Sequence, residues 1–107
     1  MKSLRAIRAS NGLSVEVDDS EILAAMCELG RDTGVFGEPA GVTGLAGLKK
    51  AVAEGLIGRG ERVVTIVTGN GLKDTANALK AAGEPIRTPP DLTQMCREFE
   101  KRGIRPR

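Results

Sequence analysis

The chain has 107 residues and a mass of 11.2 kDa, enough for one compact domain but small for a deeply enclosed active site, since folding at this size hides only about two-thirds of the unfolded surface. Hydrophobic residues make up 40% and charged residues 28%, with a net charge of +2, which excludes global disorder and is too mild to point to a nucleic acid or a membrane. The sequence contains no His, Trp or Tyr, which removes histidine triads and histidine metal ligands and leaves Phe36 and Phe99 too few to stack single-stranded nucleic acid.

Ser3 to Ser10 is expected to be helical, with Leu4 and Ile7 on one side and Asn11-Gly12 as its stop. Met1 to Leu13 carries basic residues but no apolar h-region, so no secretory signal is expected there. Ser14-Val15-Glu16-Val17 alternates and reads as a short strand. Asp18 stands three residues before Glu21, the acidic form of a capping box, and Ile22, Ala25, Met26 and Leu29 recur at helical spacing, which predicts a helix over 19–32.

Val35 to Pro39 is expected to be extended, because a proline pushes the residue before it away from helical angles. A second helix should run from Ala40 to Ala53, with Leu45, Leu48, Val52 and Leu56 as its buried stripe. Gly41, Gly44 and Gly47 are costly in a helix. They either let the helix approach a neighbouring backbone closely or leave room for a ligand. Arg62 to Val67 is the clearest strand, a β-branched run that reads as buried on both faces of a parallel sheet. It ends in Thr68-Gly69-Asn70-Gly71, before a helix over 72–82 stopped by Gly83. A last helix should run from Pro90 or Asp91 to Arg102 with Leu92, Met95, Cys96 and Phe99 inward, followed by a basic, solvated tail. Strands alternating with helices predict an α/β fold, a small, mainly parallel sheet flanked by helices, in a single domain over 1–107. Cys27 and Cys96 are too far apart to form a metal clip and read as reduced thiols of a cytoplasmic protein.

In open α/β sheets ligands collect beyond the carboxyl ends of the strands, which is where Thr68 to Gly71 should lie. Glycines there permit positive φ and close backbone approach, successive N–H groups can form an anion-binding nest, and the Thr68 hydroxyl can donate or accept toward a heterocyclic nitrogen or a phosphate. The same residues also suit a tight strand-to-helix turn that needs glycine for geometry alone. Glu38 is a second candidate. Placed before Pro39 at a helix start, it either favours the helix dipole or faces a polar cofactor.

The runs Val17-Asp18-Asp19-Ser20-Glu21-Ile22, Thr33 to Ala40, Ala46-Gly47-Leu48 and Val64 through Thr68-Gly69-Asn70-Gly71-Leu72-Lys73-Asp74 resemble the C-terminal part of threonine synthase. That family consists of pyridoxal-phosphate enzymes of the tryptophan-synthase-β-like superfamily, which convert O-phosphohomoserine to threonine and phosphate. The resemblance implies that Thr68 bonds the pyridine nitrogen of the cofactor, that Gly69, Asn70 and Gly71 pass close to its ring, that Glu38 lies near it, and that Lys73 and Asp74 stabilise the turn and helix start. Members of the family carry the Schiff-base lysine and the loop that holds the cofactor phosphate upstream of this region, and neither precedes Val15 here. The expectation is therefore half of a cofactor cleft, inactive alone and completed by the missing N-terminal part. A non-catalytic binding or regulatory module, or one that self-associates, is the alternative.

Overall fold

The computed structural model describes residues 2–104. They form five α-helices, α1 (Lys2–Ala9), α2 (Asp19–Thr33), α3 (Pro39–Ala53), α4 (Thr75–Ala82) and α5 (Leu92–Lys101), with a 3-10 turn, Gly71–Asp74, ahead of α4. Residues 105–107 of the basic tail lie outside the described residues.

Helix boundaries follow local chemistry. The Asp18 carboxylate accepts the Glu21 backbone N–H at 2.9 Å, while the Glu21 side chain accepts the Asp18 N–H at 2.8 Å, closing the capping box that starts α2. Gly34 stops α2 in the left-handed region at φ 76°, its N–H reaching Gly30 O. Pro39 occupies the first turn of α3, where its missing N–H costs nothing. The helix expected over 72–82 is broken instead. Leu72 and Lys73 sit in the 3-10 turn, and Asp74 caps α4 through the Asn77 N–H.

The core is a small helical cluster. Ala25 and Met26 of α2 meet Val42 and Ala46 of α3, with Val17, Ile22, Leu23, Leu29, Leu45, Ala78 and Ala81 packed around them. Glu28 with Lys49, and Glu21 with Lys50, form ion pairs between α2 and α3. The buried face of α3 is not the leucine stripe. Gly41, Val42, Ala46 and Ala51 are buried, whereas Val52 and Leu56 are exposed. Small side chains let the two helices approach closely, with Leu45 packed only at the margin of the cluster. α5 buries no residue, and Leu92, expected to face inward, is exposed.

The expected small parallel sheet is not formed. Among the described residues there is no strand, only an isolated antiparallel bridge between Gly37 and Asn70. The physical reason is a missing neighbour. Residues 14–17 and 62–67 are not helical, but no backbone hydrogen bond joins one segment to the other, and a strand needs a ladder partner to exist. Exposure along the second segment still alternates with period 2. Val63 and Val67 are 45% and 36% exposed, and Val64 and Ile66 are 89% and 78% exposed. All six residues of 62–67 are exposed, so the expected burial on both faces is not met either.

Candidate functional site

The site is built where two short segments cross. Glu38 N–H donates to Gly69 O at 2.8 Å, and Gly71 N–H donates to Phe36 O at 2.9 Å. These bonds clamp 36–38 against 69–71 and bring Glu38, Thr68, Gly69, Asn70 and Gly71 to one end of the α2–α3 layer. All five candidate residues therefore lie together.

The glycines serve proximity. Neither Gly69 nor Gly71 adopts positive φ, which corrects the expectation that they turn the chain in the left-handed region. A Cβ on Gly69 would overlap the Glu38 carboxylate, and one on Gly71 would overlap the Phe36 ring. Gly37 leaves room for Val42 and Val67, and a Cβ on Gly41 would stand 3.1 Å from the backbone nitrogens of Thr68 and Gly69. Close approach of α3 to a neighbouring backbone is thus realised at Gly41. Gly44 and Gly47 have nothing within 4 Å of a built Cβ.

The N–H groups of Gly71, Leu72 and Lys73 are already used. Gly71 N–H goes to Phe36 O, Leu72 N–H to Asn70 Oδ1 at 2.9 Å, and Lys73 N–H to Asn70 O at 3.1 Å. An anion nest needs several free N–H groups converging on one point, so residues 71–73 do not form one. Asn70 instead caps the 3-10 turn with its side chain.

The Thr68 side chain differs. It is exposed and makes no hydrogen bond among the described residues, which leaves a hydroxyl free both to donate and to accept. Beside it Glu38 is mostly buried, 16% exposed at its side chain, and its Oε1 accepts from Lys73 Nζ at 3.2 Å, the lysine being 63% exposed. Lys73 is the residue that sequence reasoning did not connect to Glu38. The two stand 35 positions apart, and only the crossing of the segments joins them. Asp74 completes the far side. Hydrogen bonds from the Asn77 side chain and backbone hold its carboxyl below the usual range.

The model of the family described as "Pyridoxal-phosphate dependent enzyme" matches residues 1–69. The chain is 46% identical over 96 residues to threonine synthase of Methanocaldococcus jannaschii, covering 90% of this chain and 24% of that protein. It is 48% identical over 102 residues to the Halalkalibacterium halodurans threonine synthase, covering 95% and 29%, and 47% identical over 78 residues to that of Mycobacterium tuberculosis, covering 73% and 22%. The chain therefore spans about a quarter of the length of these curated relatives, and it matches their C-terminal portion. With more than half of its residues inside the family model, this chain belongs to the pyridoxal-phosphate-dependent enzyme family.

Proposed function

We propose that this chain supplies the pyridine-ring wall of a pyridoxal-phosphate site in a threonine synthase, and that it is inactive until the rest of that enzyme is present. The observation that carries this reading is the unpaired hydroxyl of the exposed Thr68 next to the mostly buried Glu38 carboxylate, in a chain 46% identical to a threonine synthase.

The residues fit one end of the cofactor. A free hydroxyl matches a ring nitrogen, and the glycine backbone at 69 and 71 presents a face without side chains. The N–H groups of 71–73 are engaged within the turn and offer nothing to the phosphate end. Bound pyridoxal phosphate supplies an electron sink for carbon-centred chemistry. Thr68 would hold the ring nitrogen with a neutral hydroxyl, so the chain would not enforce ring protonation as a carboxylate would. Gly69 and Gly71 would let the backbone lie against the ring, Asn70 would fix the turn that carries them, and Glu38 would keep a negative charge near the ring edge, steadied by Lys73. Lys73 is committed to Glu38 and points to a structural role. The lysine that anchors the cofactor would come from outside these residues.

The test is complementation. The purified chain is expected to release no phosphate from O-phosphohomoserine with pyridoxal phosphate, and to do so when co-expressed with the N-terminal three-quarters of the M. jannaschii enzyme. Turnover by the chain alone, or an inactive co-purified complex, overturns the proposal. A self-associating module without chemistry is the second reading, favoured by the many large apolar side chains left exposed.

A further inference from the structure

Glu38 stands at the N-cap of α3, yet its side chain does not cap the helix. An N-cap side chain ordinarily turns back to the backbone N–H of the second or third helical residue, which here is Ala40 or Gly41. Thr68 lies beside that position. A Cβ on Gly41 would stand 3.4 Å from Thr68 Oγ1 and 3.1 Å from Thr68 N. The Glu38 carboxylate is turned elsewhere. It lies against Gly69, where a built Cβ would overlap it, and its Oε1 accepts from Lys73 Nζ at 3.2 Å. Among the described residues Lys73 is the only group hydrogen-bonded to this carboxylate. The Glu38 main chain is fixed by its N–H bond to Gly69 O at 2.8 Å, so the side chain can leave Lys73 only by rotating about its own bonds.

We infer that Lys73 is a positioning residue for the cofactor: by holding the Glu38 carboxylate against Gly69, it keeps that acceptor off the Thr68 hydroxyl. The inference rests on Thr68 meeting the ring nitrogen, as proposed above, and gives the structural role of Lys73 a specific content. A hydroxyl carries one hydrogen. If a carboxylate takes it, the hydroxyl can no longer donate to a pyridine nitrogen and can only accept from a protonated one. A carboxylate 16% exposed is not left unpaired without cost. Without Lys73, the donors at this end of α3 are the Ala40 and Gly41 N–H groups and the Thr68 hydroxyl, and a hydroxyl bonds strongly to a carboxylate. Stability is not what the ion pair supplies. Lys73 is 63% exposed, and exposed pairs contribute little to folding. Its effect lies in which acceptor the Thr68 hydrogen meets.

The complex of this chain with the N-terminal three-quarters of M. jannaschii threonine synthase, loaded with pyridoxal phosphate isotopically labelled at its ring nitrogen, tests this. Lys73→Met should weaken cofactor binding by about 2- to 12-fold, the loss also expected of Thr68→Val, and should move the ring-nitrogen resonance in the same direction. Lys73→Arg, which still pairs with a carboxylate, should restore both. In a Thr68→Val or a Glu38→Ala background, Lys73→Met should have no further effect, because the hydroxyl or its competitor is already gone. A lysine that only supports the fold would instead lower affinity in either background and leave the ring-nitrogen resonance in place. That result overturns the inference, as does unchanged affinity for Lys73→Met where Thr68→Val has lost it. If Thr68→Val itself changes neither affinity nor resonance, the ring contact proposed above falls, and this inference with it.

Discussion

Glycines decide the residue scale, and they do so with opposite signs. Gly71 is buried against the Phe36 ring, so Gly71→Ala must push that ring outward. Because Phe36 is itself partly exposed, the ring can swing, and the expected loss is about 1–2 kcal/mol of stability. Gly44→Ala meets nothing and removes a helix breaker, so it should stabilise the isolated chain by about 1 kcal/mol. Thermal melts of the two variants by circular dichroism should move in opposite directions, and a shift of the same sign in both would mean that the local surroundings described above are wrong. At Thr68 the expected effect appears only with cofactor. In the complemented complex, Thr68→Val should weaken pyridoxal-phosphate binding by about 2- to 12-fold, the worth of one hydrogen bond at about 0.5–1.5 kcal/mol. A spectroscopic titration reads this directly, and unchanged affinity together with an unchanged absorption band would remove Thr68 from the ring. These five candidate residues could be singled out from sequence because a turn after a β-branched run and a Glu-Pro step are local patterns, to which the family resemblance adds a role. The Glu38–Lys73 pair could not, since it depends on two segments crossing.

At the scale of elements, helices were legible because their ends are written in neighbouring residues. Asp18 with Glu21, Gly34, Pro39 and Gly83 each act within a few positions of themselves. The sheet was not legible in the same way. The β-branched content of 62–67 records a preference for pairing, and pairing requires a neighbour that the segment cannot supply for itself. The buried face of α3 was misread for a related reason. Leucines have the larger apolar area, but the α2 contact is made by Val42 and Ala46, where small size permits closeness. Met26→Ala should therefore cost about 2–5 kcal/mol, whereas Leu56→Ala, at an exposed position, should cost little, as denaturant unfolding of both variants would report. The caps also predict a pH response. Asp18 is held below its usual range by the Ser20 hydroxyl first and by the Glu21 N–H next, and Asp74 by the Asn77 side chain and then its N–H. Both carboxylates titrate lower when folded than when unfolded. Their contribution is therefore complete above the unfolded carboxyl value of about 3.9 and is lost as pH falls through the lower folded values. Helical content at 222 nm should hold from neutrality to about pH 4 and decline below it. Asp18→Asn, which can still accept from the N–H groups, should flatten the part of that decline that comes from α2.

Across the whole molecule, size and surface disagree with a self-contained domain. The radius of gyration is 18.4 Å and the longest extent 61 Å, against about 13 Å for the radius of a compact chain of this length. The core is a single cluster shared by three helices, and Val64, Ile66, Leu72 and Leu79 face solvent outside it. Without a cover these side chains should drive association of the isolated chain that is hydrophobic in origin. Light scattering should then show a mass that rises with concentration. Salt should leave that rise unchanged or strengthen it, because screening weakens only contacts between charges. Ile66→Lys places a charge on this exposed surface and should shift the onset of association to higher concentration. If salt dissolves the assemblies instead, the contacts are ionic and the uncovered apolar face is not what holds them together. Such a result would also weaken the view that this face awaits a partner, since a surface shaped for burial has to prefer apolar contact over water when no partner is present.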